Sequence, residues 1–197
     1  VSAGTVKYDL QGSTVSLARE STNIIGLANS PVVLTLTNGT VQRLNPGYTS
    51  LKETFFLRGS GTVLRLLNVN YDRVAYYPWI ESNTMVIVSG SNAVFRTFGC
   101  SQRLQGTVIV TNGAYLDAFA GFKPDSGGFL HVHGTGIGVR ASISFGGIHS
   151  NGSVRFDGGA QVQNAAALYQ YFQGKVTLNN AYYYYYYGHP DYGWVYL

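Results

Sequence analysis

A glycine, any residue, then a branched aliphatic that opens a strand: from Gly39 onward this phrase returns about every 22 residues. Its copies are Gly39-Thr40-Val41, Gly61-Thr62-Val63, Gly106-Thr107-Val108, Gly128-Phe129-Leu130, Gly152-Ser153-Val154 and Gly174-Lys175-Val176, while Thr84-Met85-Val86 keeps the place without the glycine. The steps between opening aliphatics are 22, 23, 22, 22, 24 and 22 residues. A repeat of fixed length in this range builds a solenoid, because each unit buries its apolar side only against its neighbours.

The residues after each opening aliphatic decide which solenoid. They alternate, as in Val86-Ile87-Val88, Val108-Ile109-Val110, Leu130-His131-Val132, Val154-Arg155-Phe156 and Val176-Thr177-Leu178, and a period of two means strand. No stretch carries the i, i+3, i+4, i+7 pattern of a helical repeat. Polar turns follow: Ser89-Gly90, Asn112-Gly113, His133-Gly134, Asp157-Gly158-Gly159 and Asn179-Asn180, all residue types that tolerate positive φ. The expected fold is all-β, a single-stranded right-handed parallel β-helix with layers of about 22 residues, its hand resting on the crossover rule. Stacked layers put Val86, Val108, Leu130, Val154 and Val176 in one internal column, with Val88, Val110, Val132, Phe156 and Leu178 beside it. Ile87, Ile109, His131, Arg155 and Thr177 then face outward, a column apolar enough at its start to fit lateral subunit contacts.

The pattern is looser before Gly39, so residues 1–38 are expected to form an irregular N-terminal coil or cap and residues 39–197 the solenoid with an aromatic last layer. Val41-Gln42-Arg43-Leu44 would point Arg43 inward, and Val63-Leu64-Arg65-Leu66 does the same to Arg65 unless the register slips by one. An unpaired buried arginine is costly, so a bulge is expected at each. The segment Tyr71 to Ser82, with Tyr76-Tyr77-Pro78-Trp79, is predicted as a side loop. Val1 in place of a methionine reads as a processed start or a piece of a longer chain, and the next layer would open just past Leu197.

With 25 glycines, 45% hydrophobic and 11% charged residues, the composition suits an ordered, turn-rich β chain. A net charge of +4 comes from scattered basic residues that never run three together, which argues against nucleic acid. No apolar run is long enough to span a bilayer, so no membrane insertion is expected. Cys100 is the only cysteine, which rules out an internal disulfide framework.

Six consecutive tyrosines, Tyr182, Tyr183, Tyr184, Tyr185, Tyr186 and Tyr187, precede Tyr192 and Trp194. In an extended strand alternate rings must face away from the core. They either cap the open end, join neighbouring chains, or offer flat faces with polar rims to sugar rings. These eight residues are the candidate glycan-binding or interface site.

Chemistry by paired carboxylates needs two acids converging on a groove. At single-layer offsets none of the nine acids pairs: Asp72 misses Glu53 by three residues, and Asp117 lies almost two layers from Asp157. No catalytic residue is therefore assigned, although a site between subunits would escape such a search. His131-Val132-His133 places two imidazoles on one strand face at a spacing that can bind zinc, but no third ligand is evident, so no metal or cofactor is expected. Gly134-Thr135-Gly136-Ile137-Gly138 lacks the helix and lysine of a phosphate loop. The sequons at Asn38 and Asn151 fall on repeat turns that favour Asn-Gly in any case.

Gly-x-Val strands closed by Asn-Gly turns, few charges, abundant tyrosine and a single cysteine make Gly39 to Leu197 resemble the β-helical shafts of bacteriophage tailspikes and tail fibres. The resemblance is one of architecture and composition. It implies a homotrimer, a virion or extracellular location, and attachment to bacterial surface polysaccharide. Two alternatives stand beside that reading, a polysaccharide lyase or hydrolase with its site between subunits, and a purely structural virion or extracellular assembly component.

Overall fold

The computed structural model describes residues 4–18, 21–44, 55–76, 78–98, 103–118, 124–125, 127–134, 142–145, 152–163, 174–184 and 194–196. Among them there is no helix, and parallel strands stack into a β-solenoid with layers of roughly 24 residues.

Each full layer has three sides. Side A is built from β1 (Gly4–Asp9), the first half of β4 (Val32–Arg43), the first half of β6 (Val63–Tyr76), β8 (Met85–Ser89), β11 (Thr107–Thr111), β13 (Phe129–His133), β15 (Ser153–Asp157) and β17 (Lys175–Asn179). Side B takes β2 (Thr14–Leu17), the second halves of β4 and β6, β9 (Val94–Phe98), β12 (Tyr115–Ala118), β14 (Ser142–Phe145), β16 (Gln161–Gln163) and β18 (Tyr182–Tyr184). Side C is a separate short sheet of β3 (Asn23–Ile25), β5 (Phe55–Leu57), β7 (Pro78–Ile80) and β10 (Arg103–Leu104), continued by a bridge from Leu104 to Pro124. Last, β19 (Trp194–Tyr196) lies antiparallel on β18 and covers its edge.

The internal columns on side A are those the alternation implies. Val86, Val108, Leu130 and Val154 are in register on successive strands, as are Val88, Val110, Val132 and Phe156, and all are buried. Their continuation, Val176 and Leu178, sits on the last side-A strand among the described residues, which leaves Val176 40% exposed. At the opposite end, among the described residues, Val6, Tyr8 and Val15 lie on the internal columns yet are 37%, 60% and 38% exposed.

The turn from side A to side B needs one or two residues of positive φ. Within the unbroken strands β4 and β6 a single asparagine does this, Asn38 at 52° and Asn68 at 54°, and later layers use Asn112-Gly113 or Gly158-Gly159. A small residue follows inside the corner, and Ala93, Ala114, Ala160 and Ala181 are all buried. Asparagine tolerates the left-handed region because its short polar side chain bonds locally, so a corner costs little.

Several expectations are corrected. Val41 does not stack on Val63; it lies on side B between Val15 and Tyr71, and Leu34 and Leu36 fill its layer's place on side A. Among the described residues the stacking is already present at Gly4, with β1 in register on Val32–Thr37, and β4 runs unbroken across residues 38 and 39. Arg65 faces outward because Val63 aligns with Met85 and Leu64 with Val86; the register slips by one and no bulge is needed. Arg43 does point inward and is buried, also without a bulge in its pairing with Leu17, because its Nη2 donates to the Ser21 carbonyl at 2.7 Å. Burial lowers the affinity of its guanidinium for the proton, with the nearby Tyr71 opposing that trend. The stretch from Tyr71 to Ser82 is no side loop. Tyr71 is core, Pro78–Ile80 forms β7, and the irregularity is a bulge between Asp72 and Ala75 where β6 pairs with β9.

Candidate functional sites

Three outward clusters carry polar chemistry, one on each side of the solenoid. On side A, His131 and His133 alternate outward on β13, and Asp157 on β15 is the register partner of His133. The Asp157 carboxylate is only 7% exposed and accepts from three cations or N–H donors: His133 Nδ1 at 2.5 Å and His131 Nε2 at 3.1 Å, both on Oδ1, and Arg155 Nε at 2.5 Å on Oδ2. Burial alone would raise the Asp157 carboxyl, but the bonds from His133, His131 and Arg155 outweigh it and hold the group below its ordinary value. Gly158, at φ 60°, gives the His133 ring its room, since a Cβ there would come within 2.7 Å of Cε1.

A carboxyl that ionises more readily in the folded chain contributes stability that is complete above the unfolded value, near 3.9, and is lost as pH falls through the folded value. Unfolding midpoints measured between about pH 6 and about pH 3 are expected to fall less steeply for Asp157→Asn than for the parent chain. Equal slopes would show that the cluster contributes nothing to acid stability.

On side B the outward register brings Asp72, Arg96 and Asp117 into line on β6, β9 and β12. Arg96 Nη1 donates to Asp72 Oδ1 at 2.8 Å and its Nε to Asp117 Oδ2 at 2.9 Å. Partial burial works against the guanidinium's charge, but the bonds it donates to Asp117 and then to Asp72 win and raise its proton affinity. The line continues toward the open end with Gln42, whose amide donates to Ser16 Oγ at 3.2 Å.

On side C, Ile24, Phe56 and Trp79 occupy one outward column on β3, β5 and β7. Ring centroids of Phe56 and Trp79 are 6.1 Å apart with planes at 42°. The Arg58 guanidinium lies 4.3 Å from the Phe56 centroid and 5.9 Å from that of Trp79, and pairs with Glu81 at 3.1 Å. Trp79 Nε1 donates to Gln105 Oε1 at 3.4 Å. A half-buried aromatic surface is thus edged by a cation, an acid and an amide.

The sequence-derived aromatic site is placed only in part. Tyr182 is half-buried and, with Tyr183 and Tyr184, forms β18, whose partners are Gln161 and Val162 on one edge and Trp194, Val195 and Tyr196 on the other. Tyr185, Tyr186, Tyr187 and Tyr192 lie outside the described residues, as does Cys100. Set beside known protein families, characterised proteins and solved structures, the chain shows no significant match to any.

Proposed function

We propose that this chain is a rigid binding shaft, of the tail-fibre or tailspike type, that attaches a virion to bacterial surface polysaccharide as a homo-oligomer, with a trimer as the expected form. The observation that carries this reading is the side-C surface of Ile24, Phe56 and Trp79 with Arg58, Glu81 and Gln105 around it. A pyranose has apolar C–H faces and a rim of hydroxyls, so it suits a ring platform edged by hydrogen-bonding groups. Residues one layer apart repeat along a stiff axis at about 4.8 Å, and such a row meets an extended polymer at several points without ordering a loop. Several copies on one fibre would add avidity to a weak single site. Tyr182, Tyr183, Tyr184 and Trp194, on β18 and β19 at the C-terminal end, would offer a second contact region.

Binding is favoured over cleavage because Asp72 and Asp117, the two acids that share one outward line, each commit a carboxylate oxygen to Arg96, which lies between them where a scissile bond would have to enter. On an array of capsular and lipopolysaccharide glycans the parent chain is expected to bind, Trp79→Ala to lose about tenfold or more, and Asp157→Asn to bind as the parent does. Absence of any glycan binding, or full retention by Trp79→Ala, would remove the basis of the reading. Release of reducing ends from the bound polysaccharide would move it to the enzymatic alternative.

A further inference from the structure

We infer that His131, His133 and Asp157 form a site for a divalent transition ion of the zinc type. Nothing in the glycan reading requires this cluster, and the two stand or fall separately. The ligand atoms of the three residues all lie within 4.8 Å of one another, on two adjacent strands whose pairing is continuous from Phe129 to His133. Tetrahedral zinc with bonds of about 2.0–2.1 Å needs ligand atoms a little over 3 Å apart, so small side-chain rotations bring this set onto a common ion.

The arrangement has the parts a metal site needs beyond its ligands. Asp157 Oδ1 faces both imidazoles while Oδ2 is held by Arg155, so one oxygen is left for an ion and the other is fixed by an outer partner. Asp157 is buried, whereas the side chain of His133 is 40% exposed, so the fourth position opens to solvent. Two imidazoles and one carboxylate favour zinc, and other first-row ions of similar softness, over calcium or magnesium, which take oxygen ligands. Binding exchanges hydrogen bonds for coordinate bonds. His131 Nε2 and His133 Nδ1, the ring nitrogens that face Asp157, each offer a lone pair to the ion once the proton sits on the other ring nitrogen.

The test is calorimetric titration of the intact chain with zinc chloride, beside cobalt(II) absorption spectra and melting curves with and without zinc. Saturation at one ion per chain is expected, with a rise in melting temperature and visible cobalt bands of a four- or five-coordinate site. His131→Gln, His133→Gln and Asp157→Asn, each folded by circular dichroism, should weaken binding by about tenfold or more. The inference is overturned by an absence of saturable zinc binding, by undiminished binding in the His131→Gln, His133→Gln double variant, or by a preference for calcium over zinc.

Discussion

Phe95→Ala is expected to cost about 3–5 kcal/mol, enough to remove a large part of the stability of a domain this size. Phe95 is fully buried on side B, in register between Tyr71 and Leu116. Its ring centroid is 5.8 Å from that of Tyr71 and 6.1 Å from that of Phe55, and Phe55 is in turn 6.1 Å from Tyr71, edge-on at 78°. These three rings join side C to side B. Strands stacked above and below hold the backbone through parallel ladders, so the walls cannot collapse into the space an alanine would leave. Denaturant midpoints should show the loss, and Arg65→Ala, on the exposed outward face, should shift them by no more than about 0.5 kcal/mol. A large effect at Arg65 would mean that the side-A register is wrong by one residue.

Gly128→Ala should destabilise by about 2–3 kcal/mol, although glycine-to-alanine changes at compatible positions usually stabilise. Gly128 has no unusual φ; what it lacks is space. A Cβ there would sit 2.0 Å from the Leu104 carbonyl oxygen and 3.0 Å from that of Asp125, both backbone atoms. Gly106 and Gly152 face the same obstacle, 2.4 Å from the Glu81 oxygen and 2.6 Å from those of Pro124 and Asp125. At Gly106, Gly128 and Gly152 the glycine of the repeating phrase is therefore there because the chain entering side A passes against main-chain carbonyls of the preceding layer. A fall in melting temperature of about 4–12 °C is the expected reading. An unchanged or higher value would show that the layers are not in this contact.

The beat of about 22 residues was legible because three successive side-A pairings keep it: Val63 to Met85, Met85 to Thr107 and Thr107 to Phe129. It misled near Gly39, where the phrase recurs by coincidence on side B. The first layers are longer, with Gly4 on Val32 and Val33 on Val63, so no fixed step could find them. The same cause hid the polar clusters. Asp72 meets Arg96 at a step of 24 and Arg96 meets Asp117 at 21, so the two acids share a line only through an arginine between them. Comparing acids with acids at one-layer offsets could not reveal that. Asp157 escaped in a similar way. The 24-residue step from Leu130 to Val154 was readable, and carried three residues further it places His133 beside Asp157. The side-C aromatics had no signal of their own, because strands of three residues carry too little alternation to be separated from a loop.

The uniform register between Met85 and His133 also limits how such a chain can change length. Removing residues 107–128 would bring Phe129 onto Met85 with Leu130 over Val86, so an entire storey can be lost or duplicated while the columns still match. Removing one residue from a strand turns every later side chain on that strand to the opposite surface. Descendants of this sequence should therefore differ in height by whole storeys, and shorter insertions should gather at the bends.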